Sequence, residues 1–156
     1  MDPQPTANNK SLIPQLEDVL ELYLVKKAPF QIPANIREVI VKFGPYITLV
    51  LMVLALPVIL VALGLSAVLL PMVGAVAGVT TGIMATVGLV FAIASLVLEA
   101  LALPGLFKRS KVGWNFLFYS ILVSAVGSLV TFQILSLIIS TLISLYILFQ
   151  IRSYYK

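Results

Sequence analysis

Glu99 is the only acidic residue that follows Glu38, and it lies within a run of leucine, valine and alanine. An ionisable side chain inside an apolar helix is a functional-site hypothesis by default, because placing its charge in hydrocarbon is costly. Four residues separate Glu99 from Pro104, so it is expected near the end of its helix rather than at mid-membrane. A structural carboxylate paired with Lys108 or Arg109 is the favoured interpretation, and a proton- or cation-handling role is the alternative.

The remainder of the sequence offers few other reactive groups. It contains no cysteine and no histidine, which excludes thiol catalysis, disulfides and the commonest zinc sites. Catalysis needs a nucleophile with a base, a pair of carboxylates or a metal site. One glutamate in an apolar region meets none of these conditions. The sequence therefore predicts a protein that is not an enzyme, with no catalytic residues, no metal site and no cofactor.

The composition predicts that most of the chain lies in a membrane. Of its 156 residues, 61% are hydrophobic and 10% are charged, whereas soluble domains contain about 25% charged residues. The mean hydropathy is +1.12. In a membrane protein, a net charge of +4 acts on orientation and on anionic lipid headgroups. We therefore expect an integral membrane protein whose partner is the lipid bilayer and not nucleic acid.

The apolar runs predict an all-α, polytopic protein with four transmembrane helices. A helical span needs about 20 residues, because it crosses about 30 Å of hydrocarbon. The last run, from Trp114 to Gln150, is too long for one span, and the turn-prone Gly127–Gln133 divides it. A re-entrant hairpin with this turn at mid-membrane is the alternative. The predicted spans cover residues 46–70, 79–103, 114–129 and 134–150.

The basic residues follow the positive-inside pattern. With four crossings, all of the basic residues near the spans lie on one side of the membrane. The two loops on the other side carry no charge. Both termini are therefore predicted to be cytoplasmic, with the protein in the plasma membrane. The candidate contacts for lipid headgroups are Lys42, Lys108, Arg109, Lys111 and Arg152.

Residues 1–44 are predicted to form a cytoplasmic amphipathic segment ahead of a transmembrane domain of residues 45–156. A second helix in this segment is interpreted as interfacial, ending where Gly44 and Pro45 turn the chain into the membrane. A cytosolic helix packed on the first one is the alternative. In the first helix, Glu17, Asp18 and Glu21 lie away from an apolar stripe. That stripe contains Leu12, Leu16, Val19, Leu20, Tyr23 and Leu24.

Small residues recur at helical spacing in the apolar region. Gly74, Gly78 and Gly82 are four apart, a spacing that puts them on one helix face and lets another backbone approach closely. Serines also recur every four residues in the last two spans, and we expect the two serine faces to pack against each other. A polar path is the alternative. These serines are Ser120, Ser124 and Ser128, and Ser136, Ser140 and Ser144.

Two segments, PGLFKRSKVGWNFLFYS and LYILFQIRSYYK, resemble parts of small, functionally uncharacterised bacterial membrane proteins. The resemblance covers most of the chain from Leu16 onward. It implies a bacterial origin and a four-span architecture with an N-terminal amphipathic segment, and it implies no activity.

Three functions agree with these observations. The first is a non-enzymatic structural or partner-binding membrane component that uses the N-terminal segment as its contact surface. The second is a small oligomeric transporter or channel, a homo-oligomer assembled through the glycine face of the second span. The third is a lipid-binding or membrane-shaping protein that acts through the interfacial helix.

Overall fold

The computed structural model describes residues 12–28 and 30–156, and within helices it does not describe the side chains of residues 65–70, 73 and 136. Every regular element in this part of the chain is helical, which confirms the all-α prediction. A π-helical turn, Leu22–Lys26, follows the first helix, and a 3-10 turn, Arg152–Tyr154, follows the last. The five α-helices are α1 (Leu12–Glu21), α2 (Ala34–Ala77), α3 (Val79–Phe107), α4 (Lys111–Val130) and α5 (Ile134–Gln150).

Among the described residues, three helices are long and apolar enough to cross a membrane, and they indicate a membrane location. They are the Ala34–Gly64 part of α2, the whole of α3 and the whole of α4. The fourth predicted span corresponds to α5, which is also apolar but has only 17 residues. At about 1.5 Å per residue, α5 is shorter than the hydrocarbon thickness of about 30 Å.

The predicted turn at Gly44 and Pro45 is not formed, because both residues lie inside α2, a single helix of 44 residues. The proposed boundary between residues 44 and 45 therefore falls within a helix. Proline suits helical φ but removes one backbone hydrogen bond. The helix continues through Pro57 and Pro71 as well, so the loss of one hydrogen bond does not end it. Pro45 is buried, and Val41, one turn earlier, belongs to the hydrophobic core.

Gly78 alone connects α2 to α3. Its φ of 90° and ψ of 149° belong to a region that glycine enters freely and other residues avoid. The prediction that Gly74, Gly78 and Gly82 share one helix face is therefore wrong, because Gly74 lies at the end of α2 and Gly82 in the first turn of α3. An oligomer contact through that face loses its geometric basis.

The buried core lies at one end of the helix bundle, which we call the core end. There the start of α2, the end of α3, the start of α4 and the end of α5 meet, together with the C-terminal tail. The basic residues that the structure describes also belong to these helix ends and to the segments beside them. The core residues are Val41, Ala102, Leu106, Trp114, Phe118, Leu145, Leu148, Phe149, Ile151 and Tyr155.

Glycines bring α3 and α4 into close contact at two levels. A Cβ atom added to Gly113 would lie 2.4 Å from the carbonyl carbon of Gly105. Toward the opposite end, a Cβ atom on Gly127 would lie 2.7 Å from Cβ of Phe91. Neither distance is allowed between carbon atoms, so the absence of a side chain at these positions permits the approach of the two helices.

The serine stripe of α4 faces α3, which corrects the prediction that it packs against α5. Ser124 Oγ donates a hydrogen bond to Ser95 Oγ at 2.8 Å, and Ser95 Oγ donates to the carbonyl oxygen of Ser120 at 3.4 Å. Ser128, one turn further along α4, is half-buried. The glycine contacts explain the difference, because Gly113 and Gly127 hold this face of α4 against α3 on both sides of Ser120 and Ser124.

The serines of α5 have no comparable role among the side chains that the structure describes. Ser140 is exposed, and Ser144 is half-buried with no hydrogen bond from its hydroxyl to a described residue. The side chain of Ser136 lies outside that description.

Candidate functional site

Arg152 attaches the N-terminal helix to the bundle. Its Nη2 atom donates a hydrogen bond to Glu17 Oε2 at 2.9 Å, and its Nη1 atom donates to Glu21 Oε2. Glu17 and Glu21 are one helical turn apart, so their carboxylates lie on the same face of α1. The structure thus places Arg152, predicted to contact lipid headgroups, in a double ion pair within the protein.

An aromatic platform lies under the Arg152 guanidinium. Arg152 Cζ is 5.0 Å from the Trp114 ring centroid and 5.8 Å from that of Phe149, within the range of cation–π attraction. Trp114 is fully buried, and its Nε1 donates to the carbonyl oxygen of Leu148 at 2.9 Å. The platform is therefore part of the core and fixes the position of the guanidinium.

Hydrogen bonds from α5 hold the chain that follows α1. Gln150 Nε2 donates to the carbonyl oxygen of Leu24 at 3.0 Å, and the Tyr146 hydroxyl donates to the carbonyl oxygen of Phe30 at 2.5 Å. Three apolar side chains of the segment also pack on the core, namely Leu20, Leu24 and Val25. The described residues of the N-terminal segment, 12–28 and 30–44, are consequently packed on the bundle.

Attachment through the acidic face leaves an apolar stripe of α1 and the following turn exposed. We call this surface the α1 stripe and define it as Leu12, Leu16, Val19 and Tyr23, whose exposed fractions are 83%, 41%, 52% and 59%. Leu20 and Leu24, which the sequence assigns to the same stripe, pack on the core instead. A contiguous exposed apolar surface is typical of an interaction site.

Glu99 lies in α3 and is half-buried. Within the described part of the chain, its carboxylate forms no ion pair and no hydrogen bond with either Lys108 or Arg109, which are both exposed. Lys108 is nine residues further along the chain, about 13 Å along a helix axis. The predicted ion pair of Glu99 with Lys108 or Arg109 is therefore not formed among the described residues.

A cavity of about 410 Å³ lies beside Arg152, where the N-terminal segment, α2, α4 and the C-terminal tail meet. Its charged and amide-bearing lining residues are Glu21, Arg37, Lys111, Gln150 and Arg152. Tyr155 forms part of the wall, and burial raises the pKa of its hydroxyl, an effect that nearby Arg109 partly opposes. The cavity is thus rich in positive charge and has an aromatic wall.

The other basic residues predicted to contact lipid are all exposed at the core end. Lys42 lies in the early part of α2, and Lys108, Arg109 and Lys111 lie at the connection between α3 and α4. The tail pairs with this connection, since Lys111 N donates to the main-chain oxygen of Lys156 at 2.8 Å. Their contact with headgroups stays a prediction.

No group of three or more His, Cys, Asp or Glu side chains that could hold a metal ion occurs in the described part of the chain. Comparison with protein-family models, with curated proteins and with solved structures finds no match to this chain. Its function is therefore inferred from the arrangement of its own residues.

Sequence reasoning missed both the Arg152 anchor and the cavity. Arg152 is 135 residues from Glu17, and no local pattern indicates that pairing. The one available signal was the spacing of Glu17 and Glu21, which creates a face suited to a single bidentate cation. Arg37 and Gln150, which line the cavity, carry no sequence signal at all.

Proposed function

We propose that this protein is a non-enzymatic, four-crossing component of a bacterial inner membrane that binds a partner protein through the α1 stripe. The observation that carries the proposal is the double ion pair of Arg152 with Glu17 and Glu21. It orients α1 so that its acidic face meets the bundle and its apolar stripe is displayed.

The spacing of the α1 stripe fits a helix that binds in a groove. Successive stripe residues are three or four positions apart, as in amphipathic helices that insert one apolar face into a partner. Burial of apolar surface contributes about 25 cal/mol per Å². Because the ion pairs already order α1, association loses less conformational entropy than it would with a disordered segment.

The proposed topology has four crossings and both termini in the cytoplasm. It is supported by the basic residues at the core end, which match the positive-inside pattern, and by the apolar character of α5. The chain has no cysteine, so single cysteines introduced as Lys108→Cys and Phe132→Cys report on the two sides. An impermeant maleimide should label only the Phe132→Cys protein in spheroplasts. Labelling of the Lys108→Cys protein under the same conditions overturns the topology.

Partner binding is tested in the full-length protein with a double substitution in the stripe, Leu16→Gln with Val19→Gln. Phe30→Ser is the matched control, because it removes an apolar side chain that is 79% exposed from the same segment but outside the stripe. We expect a stoichiometric partner to co-purify with the wild type and the control and to be lost from the double variant. Equal recovery with all three proteins contradicts the proposal.

A lipid-binding role is the second candidate, because the α1 stripe lies at the same end as the basic residues. A photoreactive phenylalanine derivative at position 16 distinguishes the two. Attachment to a protein of defined mass supports partner binding, and attachment to phospholipid alone supports burial of the stripe in the leaflet.

A further inference from the structure

We propose that the cavity beside Arg152 binds the headgroup of an anionic glycerophospholipid, a phosphate group accompanied by hydroxyl donors. This inference does not depend on the partner-binding proposal, because the cavity and the α1 stripe are different surfaces. Three observations support it: the charge of the lining, two unpartnered polar atoms, and the position of the cavity at the core end.

The lining has a surplus of positive charge. Arg37, Lys111 and Arg152 contribute three cations, and Glu21 contributes one carboxylate. Arg152 is engaged by Glu21 and by Glu17 from outside the lining. In the described part of the chain, no carboxylate lies within ion-pair distance of Arg37 or Lys111. These two side chains are available to an anion.

Two buried polar atoms on the lining side chains are unsatisfied. Arg37 Nε and Gln150 Oε1 have no hydrogen-bond partner among the described residues, although buried polar groups are normally bonded. Gln150 is 2% exposed. Its Nε2 atom already donates to the Leu24 carbonyl oxygen, which assigns the other end of the amide as the free acceptor.

The two atoms have opposite hydrogen-bonding roles, one a donor and the other an acceptor. Arg37 Nε needs an acceptor, which a phosphate oxygen supplies with the added strength of a charge-assisted hydrogen bond. Gln150 Oε1 needs a donor, which a phosphate diester lacks and a glycerol hydroxyl supplies. Both residues belong to the lining of the cavity. A headgroup with both kinds of group, such as phosphoglycerol, therefore fits better than phosphocholine, which has no donor.

The position of the cavity also fits a lipid headgroup. Trp114 and Tyr155 form part of its wall, and such aromatic side chains are enriched at the membrane–water interface. Lys111, the first residue of α4, lies where the apolar helices end. The acyl chains of a lipid held here can extend along the apolar helix surfaces below.

The test uses the full-length protein in mild detergent and measures lipid binding by native mass spectrometry. Phosphatidylglycerol and phosphatidylcholine are compared for the wild type, Arg37→Gln and Lys111→Gln. Lys42→Gln is the matched control, because it removes the same charge from α2 outside the cavity. We expect one phosphatidylglycerol per chain, bound about tenfold more weakly by either cavity variant, as for the loss of one charge-assisted hydrogen bond.

Several results overturn the proposal. Equal binding of both lipids excludes recognition of the headgroup, and an equal loss with Lys42→Gln shows diffuse attraction instead of a site. Water-soluble glycerophosphoglycerol serves as a second arm. If it binds as tightly as the intact lipid, the source of the phosphate is soluble and the lipid assignment fails. Lys111 is exposed, so Lys111→Gln keeps the test valid if Arg37→Gln does not fold.

Discussion

The backbones of Gly105 and Gly113 touch at the turn between α3 and α4, where a Cβ atom on either glycine would lie within 2.5 Å of the other residue. Ser110 closes this turn, because its side chain accepts a hydrogen bond from Gly113 N at the start of α4. The contact places the start of α4, including Trp114, beside the end of α3. The position of the aromatic platform under Arg152 thus depends on glycine, which has no Cβ atom, at positions 105 and 113.

The first prediction concerns this glycine contact. Gly113→Ala should destabilise the protein by about 1–3 kcal/mol, the usual cost of inserting an atom into a packed contact. Thermal unfolding in detergent measures the change. Gly64→Ala is the control, since a Cβ atom there has no neighbour within 4 Å. Equal stability of Gly113→Ala and the control would show that the helices separate without cost.

The second prediction concerns the attachment of α1. Arg152→Gln should raise the rate of amide hydrogen exchange in residues 12–26 and leave exchange in α3 unchanged, because the ion pairs join only α1 to the tail. The pairs are partly exposed, so each contributes about 0.2–1 kcal/mol. The loss of stability in the double variant Glu17→Gln with Arg152→Gln should be smaller than the sum of the losses in the two single variants. Lys156→Gln serves as the charge-matched control, and unchanged exchange in the Arg152 variant contradicts the anchor.

The third prediction concerns the serines between α3 and α4. Ser95→Ala removes both the donor to Ser120 and the acceptor for Ser124, and should lower stability by about 0.6 kcal/mol, typical of hydrogen bonds between membrane helices. Ser140→Ala, at an exposed position of α5, should have no effect. A larger loss with Ser140→Ala would instead favour the predicted packing of α4 against α5.

The fourth prediction concerns Phe132, which has a φ of 56° in the turn between α4 and α5. A bulky residue in this left-handed region is strained. Phe132→Gly should therefore raise stability by about 1 kcal/mol. Phe132→Ala separates the causes, because it removes the side chain and keeps the backbone strain. If both variants have the same melting temperature, strain at this position is not the reason.

The sequence predicted where most helices lie better than it predicted which helices contact each other. The apolar runs correctly indicated the helices that became α3, α4 and α5, because helix formation in lipid follows from local hydrophobicity and backbone hydrogen bonding. The turn proposed at Gly44 and Pro45 is not formed, and α2 continues through three prolines. Each proline removes only one backbone hydrogen bond, and helices in apolar surroundings tolerate such a loss. A local breaker signal is therefore not sufficient to end this helix.

The candidate site residues were likewise predicted less well than the helices, because their roles depend on contacts between distant parts of the chain. Glu99 was the most conspicuous residue of the sequence, yet no cation lies within ion-pair distance of it in the described part of the chain. In the sequence, Arg152 is one of several basic residues expected near a headgroup layer. Its importance comes from its contacts with Glu17 and Trp114, which lie 135 and 38 positions away. Helix and strand patterns relate only residues a few positions apart, so they could not indicate either contact.

By itself, the sequence determined that the chain is helical, apolar and basic at one set of helix ends, because these properties depend on residue type and on neighbours within a few positions. Only the tertiary structure decided which face of α1 meets the bundle, which helix the serines of α4 contact, and where Arg37 and Gln150 form a cavity. These outcomes depend on how closely two backbones approach, and that distance is set by glycines and ion pairs far apart in the chain.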